Sequence, residues 1–416
     1  MRSQNETETY EYPRLRPVEA FPAVVSGHDV LCLRDPEHYC KAVVYVPAQA
    51  ASILGLLDGQ HSLLDIQEAY TRRFGVLLFR EDLLRVIRSL DEHLLLDSPR
   101  FADHRAEVDE GFRCAGFRAA MLAGNSYPAD PDALRRQLDS YSTAPDGPGD
   151  TPTSPSATSL TGLVVPHIDY VRGGPCYAWG YRELEGAPPA DRWVILGTVH
   201  ARIGRAFALT RKDFETPLGL VETDQAFMDR LLPAGGSSYL EDEVAHRGEH
   251  SIEFQAVFLR HRTPPGSPVW IVPILCGSFH QFIQDGRSPS GEQEIAEFAA
   301  ALRHTMETVG GRTVVMASAD LAHVGPRFGD PRQVTPGQLR EVADADRGML
   351  EAVEAGDADA FFHAVARDGD RRRICGLPPI YTLLRLLPGA RGRLLRYAQW
   401  PDPQGTVTFA AVALYA

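Results

Sequence analysis

The sequence predicts an α/β protein, in which a large domain with a mixed central sheet flanked by helices is preceded by a small α+β domain. Three observations lead there. From Leu163 onward, short apolar runs of strand length alternate with longer segments whose apolar residues recur every three or four positions. Ahead of residue 100, two β-like runs are followed by three helical segments and one more apolar run. Several of the later strands end at a His, Asp or Cys, so polar chemistry collects where strands stop.

The chain has 416 residues, enough for two or three domains and a large core. Hydrophobic residues at 44% and charged residues at 23% are ordinary for a globular protein. A formal net charge of -13 argues against general affinity for nucleic acid, which needs a basic face. Neither a membrane span nor the apolar core of a signal peptide is visible, so the expected location is the cytoplasm, with no membrane partner. Six cysteines (Cys32, Cys40, Cys114, Cys176, Cys276 and Cys375) are scattered without CxxC spacing, which predicts reduced thiols.

Taken in order, residues 1–20 are polar and proline-bearing, and read as a flexible arm. Val30-Leu31-Cys32-Leu33 and Ala42-Val43-Val44-Tyr45-Val46 flank the turn-like Asp35-Pro36-Glu37 as a hairpin. Helical periodicity follows at residues 48–57, after the Ser62 cap (Leu63, Ile66, Tyr70), and at 80–90. Leu94-Leu95-Leu96-Asp97 reads as a return strand, which gives residues 21–100 the order of a small winged-helix unit. That order, with the phrases Leu57-Asp58-Gly59 and Leu90-Asp91-Glu92, resembles the PqqD-like domains that bind precursor peptides. The resemblance implies peptide docking, whereas the residues alone fit a stabilising cap or dimerisation domain equally well.

Polar residues 101–111 read as a linker, and residues 112–416 as the large domain. Asp130 and Pro131 predict the cap and first position of a helix over 132–141. Residues 142–161, rich in Pro, Gly, Ser and Thr, predict a mobile loop. Beyond it, strands are predicted at 163–165, 193–196, 269–275, 313–316, 394–398 and 407–414, with helices at 223–232, 251–260, 293–309, 335–355, 358–366 and 379–387.

The chemistry begins where Leu163-Val164-Val165 meets Pro166, which withholds the N–H needed to extend the ladder. His167 and Asp169 therefore follow a strand end, ahead of Arg172-Gly173-Gly174-Pro175, which reads as a turn permitting close backbone approach. His200 follows the second strand, and Ser318-Ala319-Asp320-Leu321-Ala322-His323 follows the fourth. One histidine after a strand means little; repetition counts, because parallel strands bring their ends to one edge. Cys276 and His280 after the third strand read as bystanders. Glu249 to Glu253 opens a helix with Ile252, Gln255, Ala256 and Leu259 on one face, leaving Glu253 as a solvated or capping carboxylate.

The motifs Val165-Pro166-His167-Ile168-Asp169-Tyr170, Leu196-Gly197-Thr198-Val199-His200, Glu249-His250-Ser251-Ile252-Glu253, Ser318-Ala319-Asp320-Leu321-Ala322-His323 and Ile374-Cys375-Gly376-Leu377-Pro378-Pro379-Ile380 stand in the order and rough spacing of the Memo family. In bacteria and archaea its members are called AmmeMemoRadiSam system protein B, and they resemble class III extradiol dioxygenases. The resemblance implies a metal held by His167, His200 and Cys375, a cleft lined by Asp320, His323 and His250, and His323 at the position of a catalytic base. It implies a transition metal, iron(II) foremost; a His, His, Cys set also suits copper or zinc. A small-molecule or peptide substrate and radical SAM and AMMECR1-like pathway partners are implied too. The family usually has Ala-Gly where this chain has Ile168-Asp169, so Asp169 becomes a candidate ligand or an orienter of one. Ala201 stands where a second histidine is frequent.

The expected function is a metal-dependent redox enzyme, with iron and oxygen chemistry on a small or peptidyl aromatic substrate. A non-catalytic metal-binding adaptor that recruits a partner through its N-terminal domain is the alternative from another class. A metallohydrolase using metal-bound water, with Asp169 or His323 as base, fits the same residues.

Overall fold

Strands that are apolar on both faces must be covered on both, and this decides the architecture of the longer part of the chain. The computed structural model describes residues 10–47, 50–154, 156, 159–235 and 237–416. The chain divides into two units, Met1–Cys114 and Ala115–Ala416.

In the first unit, β1 (Glu19–Val25), β2 (His28–Arg34) and β3 (Val44–Pro47) form an antiparallel sheet in that order. Ser26 and Gly27 join β1 to β2 with φ of 51° and 80°, the two-residue hairpin turn whose twist matches the strands. Helices α1 (Ala51–Leu54), α2 (Leu63–Phe74), α3 (Arg80–Glu92) and α4 (Pro99–Cys114) follow. Ser62 caps α2 as the sequence predicts, in a capping box with Asp65. Leu33, Val46, Ile53, Leu63, Ile66, Leu83, Ile87 and Leu90 make the core.

Three N-terminal expectations need correction. Of the predicted arm, residues 1–9 lie outside the described residues, while Arg14 and Leu15 bridge Asp58 and Leu96 and buried Arg16 pairs with Asp35 at 3.2 Å. The predicted return strand shrinks to the bridge at Leu96, because Leu94 has a φ of 59° that interrupts an extended run. The predicted linker is the middle of α4: Phe101 and Phe112 are buried, and eleven positions are about three helical turns, so both lie on one face. Of the predicted helix at 48–57, residues 48 and 49 lie outside the described residues, and only Ala51–Leu54 is helical, with a turn after it.

The second unit opens with β4 (Phe117–Arg118), α5 (Pro131–Thr143), β5 (Leu160–Val165), α6 (Tyr170–Arg182), β6 (Arg192–Thr198), β7 (Phe207–Leu209), β8 (Asp213–Phe214) and β9 (Glu222–Thr223). Next come α7 (Gln225–Gly235), α8 (His250–Arg262), β10 (Trp270–Cys276), α9 (His280–Gln284), α10 (Gln293–Thr308), β11 (Thr313–Ser318) and β12 (Asp320–Val324). Helices α11 (Pro336–Glu354), α12 (Ala358–Ala366) and α13 (Leu377–Leu386) precede β13 (Arg391–Trp400) and β14 (Thr406–Tyr415).

The main sheet has the order β12-β14-β5-β11-β6-β10-β7, with β13 on β14 and β9 on β10. β5, β11, β6 and β10 are parallel, and β14, β12 and β7 run antiparallel to their neighbours, so the sheet is mixed as predicted. Successive residues alternate between two cores. Val164, Val194 and Val315 meet Phe227, Phe298, Met349 and Phe361 from α7, α10, α11 and α12. Leu163, Val165, Ile195 and Met316 meet Leu134, Tyr177 and Phe258 from α5, α6 and α8. The parallel register places the ends of β5, β11, β6 and β10 side by side, and that edge carries the site.

Here too the structure corrects the reading. The predicted turn at Arg172 to Pro175 lies inside α6. Its glycines are there for packing: a Cβ on Gly173 would lie 2.5 Å from Ile168, and one on Gly174 2.5 Å from the Tyr141 ring. In the predicted mobile loop, α5 extends to Thr143 and β5 starts at Leu160; between them Ser154 N donates to Glu183 at 3.1 Å and Trp179 Nε1 donates to Asp146 O at 3.0 Å. Residues 155, 157 and 158 of that loop lie outside the described residues. Among the described residues, no helix is long and apolar enough to cross a membrane.

Candidate metal centre

With Pro166 ending β5, His167 is the first residue past the strand that can still donate from its backbone, and its N–H bonds Asp320 Oδ1 at 3.0 Å. Its Nδ1 donates to the carbonyl of Ser318, the last residue of neighbouring β11, at 3.0 Å. The ring is thus fixed with Nε2 toward Cys375 Sγ at 3.3 Å and Asp320 Oδ2 at 3.7 Å. Burial, aided by nearby His200, pushes the His167 pKa down to about 3, so the imidazole is neutral and the lone pair of Nε2 can bind a metal.

His200 stands two residues past β6 and is tied to Glu249 through its backbone N at 2.9 Å and its Nδ1 at 3.0 Å. Glu249 is the N-cap of α8, accepting from Ser251 N at 2.9 Å, and its Oε1 lies 3.2 Å from His250 Nδ1. Burial alone would raise the Glu249 carboxyl, but His200 and His250 beside it outweigh burial and hold it well below the usual carboxylate range. One ring nitrogen from each of His167, His200 and His250 lies within 4.8 Å of the others. The His200 and His250 rings stack at 4.7 Å, and His167 stands edge-on to both at 5.3 Å.

These residues fit a transition metal. Three imidazoles would hold it and leave a coordination position open. A carbonyl on His167 Nδ1 and a carboxylate on His200 Nδ1 are the outer partners that fix tautomer and ring direction in metal-binding histidines.

The structure joins His167 to His200 and supplies His250 as the third donor, a residue that the sequence reading placed in the cleft lining. Cys375 stands beside the cluster, ahead of α13, with Sγ 3.3 Å from His167 Nε2 and 3.7 Å from Asp320 O. Burial, reinforced by Asp320, raises the Cys375 thiol well above its ordinary value. Asp169 is not in the cluster. It caps α6, accepting from Arg172 N at 3.1 Å, and pairs with the Arg172 guanidinium at 2.8 Å. A helix starting at Tyr170 leaves unpaired N–H groups that such a cap must meet.

Asp320 is buried with Oδ2 3.7 Å from His167 Nε2, and burial raises its carboxyl to about 6. His323 lies on β12, where the register with β14 shifts between Asp320 and His323. Its Nδ1 faces the carbonyls of Leu321 at 3.1 Å and Arg373 at 3.2 Å, so Nδ1 carries the proton and Nε2 is the acceptor. Burial, above all, lowers its pKa to about 4, further than a free loop histidine would suggest. Cys276 is buried within β10, and His280 lies 3.7 Å from Asp370, outside the donor cluster. Glu253 is neither solvated nor a cap: it is fully buried against Arg118. The sequence reading did not single out Glu249, Ser318 or Arg118 as supports; a bonding carbonyl or a long-range ion pair leaves no local spacing to find.

A family model described as "Memo-like protein" matches residues 118–413, well over half the chain and all five motifs of the site. The chain belongs to the Memo family. A MEMO1 family protein of Methanopyrus kandleri is 31% identical over 305 residues, covering 71% of this chain and 98% of that protein. One from Aquifex aeolicus is 25% identical over 392 residues, 93% of this chain and 96% of that protein. One from Thermus thermophilus is 29% identical over 341 residues, 81% of this chain and 93% of that protein. The Aquifex match is longer than residues 115–416, so it extends beyond the Memo domain into the N-terminal unit.

Proposed function

We propose that this Memo protein is a metal-dependent redox enzyme in which His167, His200 and His250 hold iron(II) and the substrate is a small or peptidyl aromatic molecule. The observation that carries the reading is the convergence of three imidazoles, each with Nδ1 against a backbone carbonyl or the Glu249 carboxylate. Bound iron would supply the electrons and Lewis acidity that dioxygen chemistry requires. The chain's own residues orient and move protons. His323, neutral at physiological pH, accepts a substrate hydroxyl proton at Nε2 while Nδ1 stays bound to two carbonyls. Asp320 holds the His167 backbone through Oδ1. The Phe328 ring, 5.0 Å from His323, offers an apolar edge that suits an aromatic substrate.

A second reading, an adaptor that recruits a peptide or protein, is favoured by the N-terminal unit. The segment joining α2 and α3 exposes Val76, Leu77 and Phe79, each more than 60% accessible. Peptide substrates or the radical SAM and AMMECR1-like proteins named above are the partners to try.

The test is metal analysis of anaerobically purified protein, followed by oxygen-uptake assays with catechols. About one iron per chain and catechol-dependent uptake are expected. A chain that stays metal-free after reconstitution with Fe(II), Zn(II) and Cu(I) would end the metal reading. Bound metal without uptake would favour the adaptor.

A further inference from the structure

Arg118 and Glu253 are both fully buried, and the mechanism above uses neither. Burying an ion pair costs desolvation that its Coulomb attraction only roughly offsets, so an apolar pair would serve stability as well. What apolar side chains cannot do is direct hydrogen bonds. Arg118 directs four: Nε to His246 O at 2.9 Å, Nη2 to Glu249 O at 2.8 Å, and Nη1 to Ala119 O at 2.9 Å and to the Glu253 carboxylate. The carbonyls of His246 and Glu249 bracket the turn that leads into α8, and Glu253 lies one turn inside that helix. Glu253 also accepts from Leu122 N at 2.9 Å and from the Tyr127 hydroxyl.

One guanidinium therefore grips the entry to α8 from both sides of His250. Through the Glu249 backbone it also fixes the carboxylate that orients His200. We propose that Arg118 is a positioning residue for the metal cluster, acting through Glu249 and Glu253 on the rings of His200 and His250; the proposal rests on the metal reading above. Lysine cannot replace it, since three donors diverging from one nitrogen cannot reproduce the guanidinium fork.

The experiment is Co(II) titration of the full-length apo protein followed by its visible ligand-field bands, comparing wild type with Arg118→Lys and Glu253→Gln. Both variants keep a polar partner at the site. Asp224→Asn is the control, since it breaks another buried pair, Arg192 to Asp224 at 2.7 Å, where β6 begins. Loss of an outer partner of a metal ligand typically costs about 10- to 100-fold in affinity, and that loss with shifted bands is expected for Arg118→Lys. The control should lose thermal stability while keeping affinity and bands. Wild-type affinity and bands in folded Arg118→Lys overturn the proposal, as do equal changes in the control. Should Arg118→Lys fail to fold, Glu253→Gln decides, and unshifted bands there overturn it. Should wild type bind no Co(II), the metal reading fails by itself. The ring ¹⁵N resonances of His200 and His250 in metal-free protein then decide: movement in Arg118→Lys supports the proposal, and constancy ends it.

Discussion

At the scale of single residues, the donor set is the sharpest question, because Cys375 and His250 compete for the third place. The three imidazoles have nitrogens within 4.8 Å of one another, while Cys375 Sγ stands beside that group, 3.3 Å from His167 Nε2. His250→Ala should therefore lose metal as fully as His200→Ala, and Cys375→Ser should retain most of it, as read by elemental analysis. Metal lost from Cys375→Ser and kept in His250→Ala would reverse the assignment. His323 is separable from the donors: His323→Ala should keep metal content and lose roughly 10²- to 10⁴-fold in turnover, measured as oxygen uptake. His246 gives a pH prediction. Its Nε2 bonds Ala208 O at 3.0 Å, its Nδ1 is buried without a partner, and burial chiefly lowers its pKa from 6.5 to about 3. Between those values the unfolded chain binds a proton that the folded one does not, so acidification removes stability, at up to ~1.4 kcal/mol per pH unit. Urea midpoints should therefore fall less steeply with acid in His246→Gln than in wild type. Parallel slopes would show that His246 is not a source of the loss.

At the scale of elements, α6 shows how packing overrides local signals. Gly173, Gly174 and Pro175 together suggest a turn, yet the small residues are what let the helix approach Ile168 and Tyr141. The helix needs a cap, and Asp169 provides it. Asp169→Ala should then cost about 0.5–2 kcal/mol in chemical denaturation, as lost N-caps do, with metal content unchanged. Metal loss at unchanged stability would instead make Asp169 a ligand. The same logic explains α4, where polar residues between Phe101 and Phe112 hide an apolar face.

At the scale of the whole molecule, the first unit has a core of its own around Leu63, Leu83 and Ile87, and the second has two cores on the faces of its sheet. The three clustered imidazoles and the residues that support them all belong to the second unit. Residues 115–416 should accordingly fold alone, with cooperative unfolding by calorimetry and about one metal per chain. An insoluble or metal-free fragment would mean that the first unit completes the second.

How much of this was legible in the sequence depends on range. The strands at Leu163, Trp193, Val269, Thr313 and Val407 were readable because buried strands are continuous apolar runs, and most long helices because their period is local. The strand-end residues His167, His200 and Asp320 were readable for the same reason, and His250 came with a motif. By itself the sequence determined an α/β chain, its mixed sheet, and the side chains that gather at one edge. Tertiary structure alone decided which of them converge: that His250 joins His167 and His200, that Asp169 caps a helix, that Glu249 ties two histidines together, and that Arg118 pairs with Glu253 across 135 positions. Those pairings depend on the register of β5, β11 and β6 and on where α8 begins. Chain spacing carries no record of distances between elements, whereas periodicity within an element does.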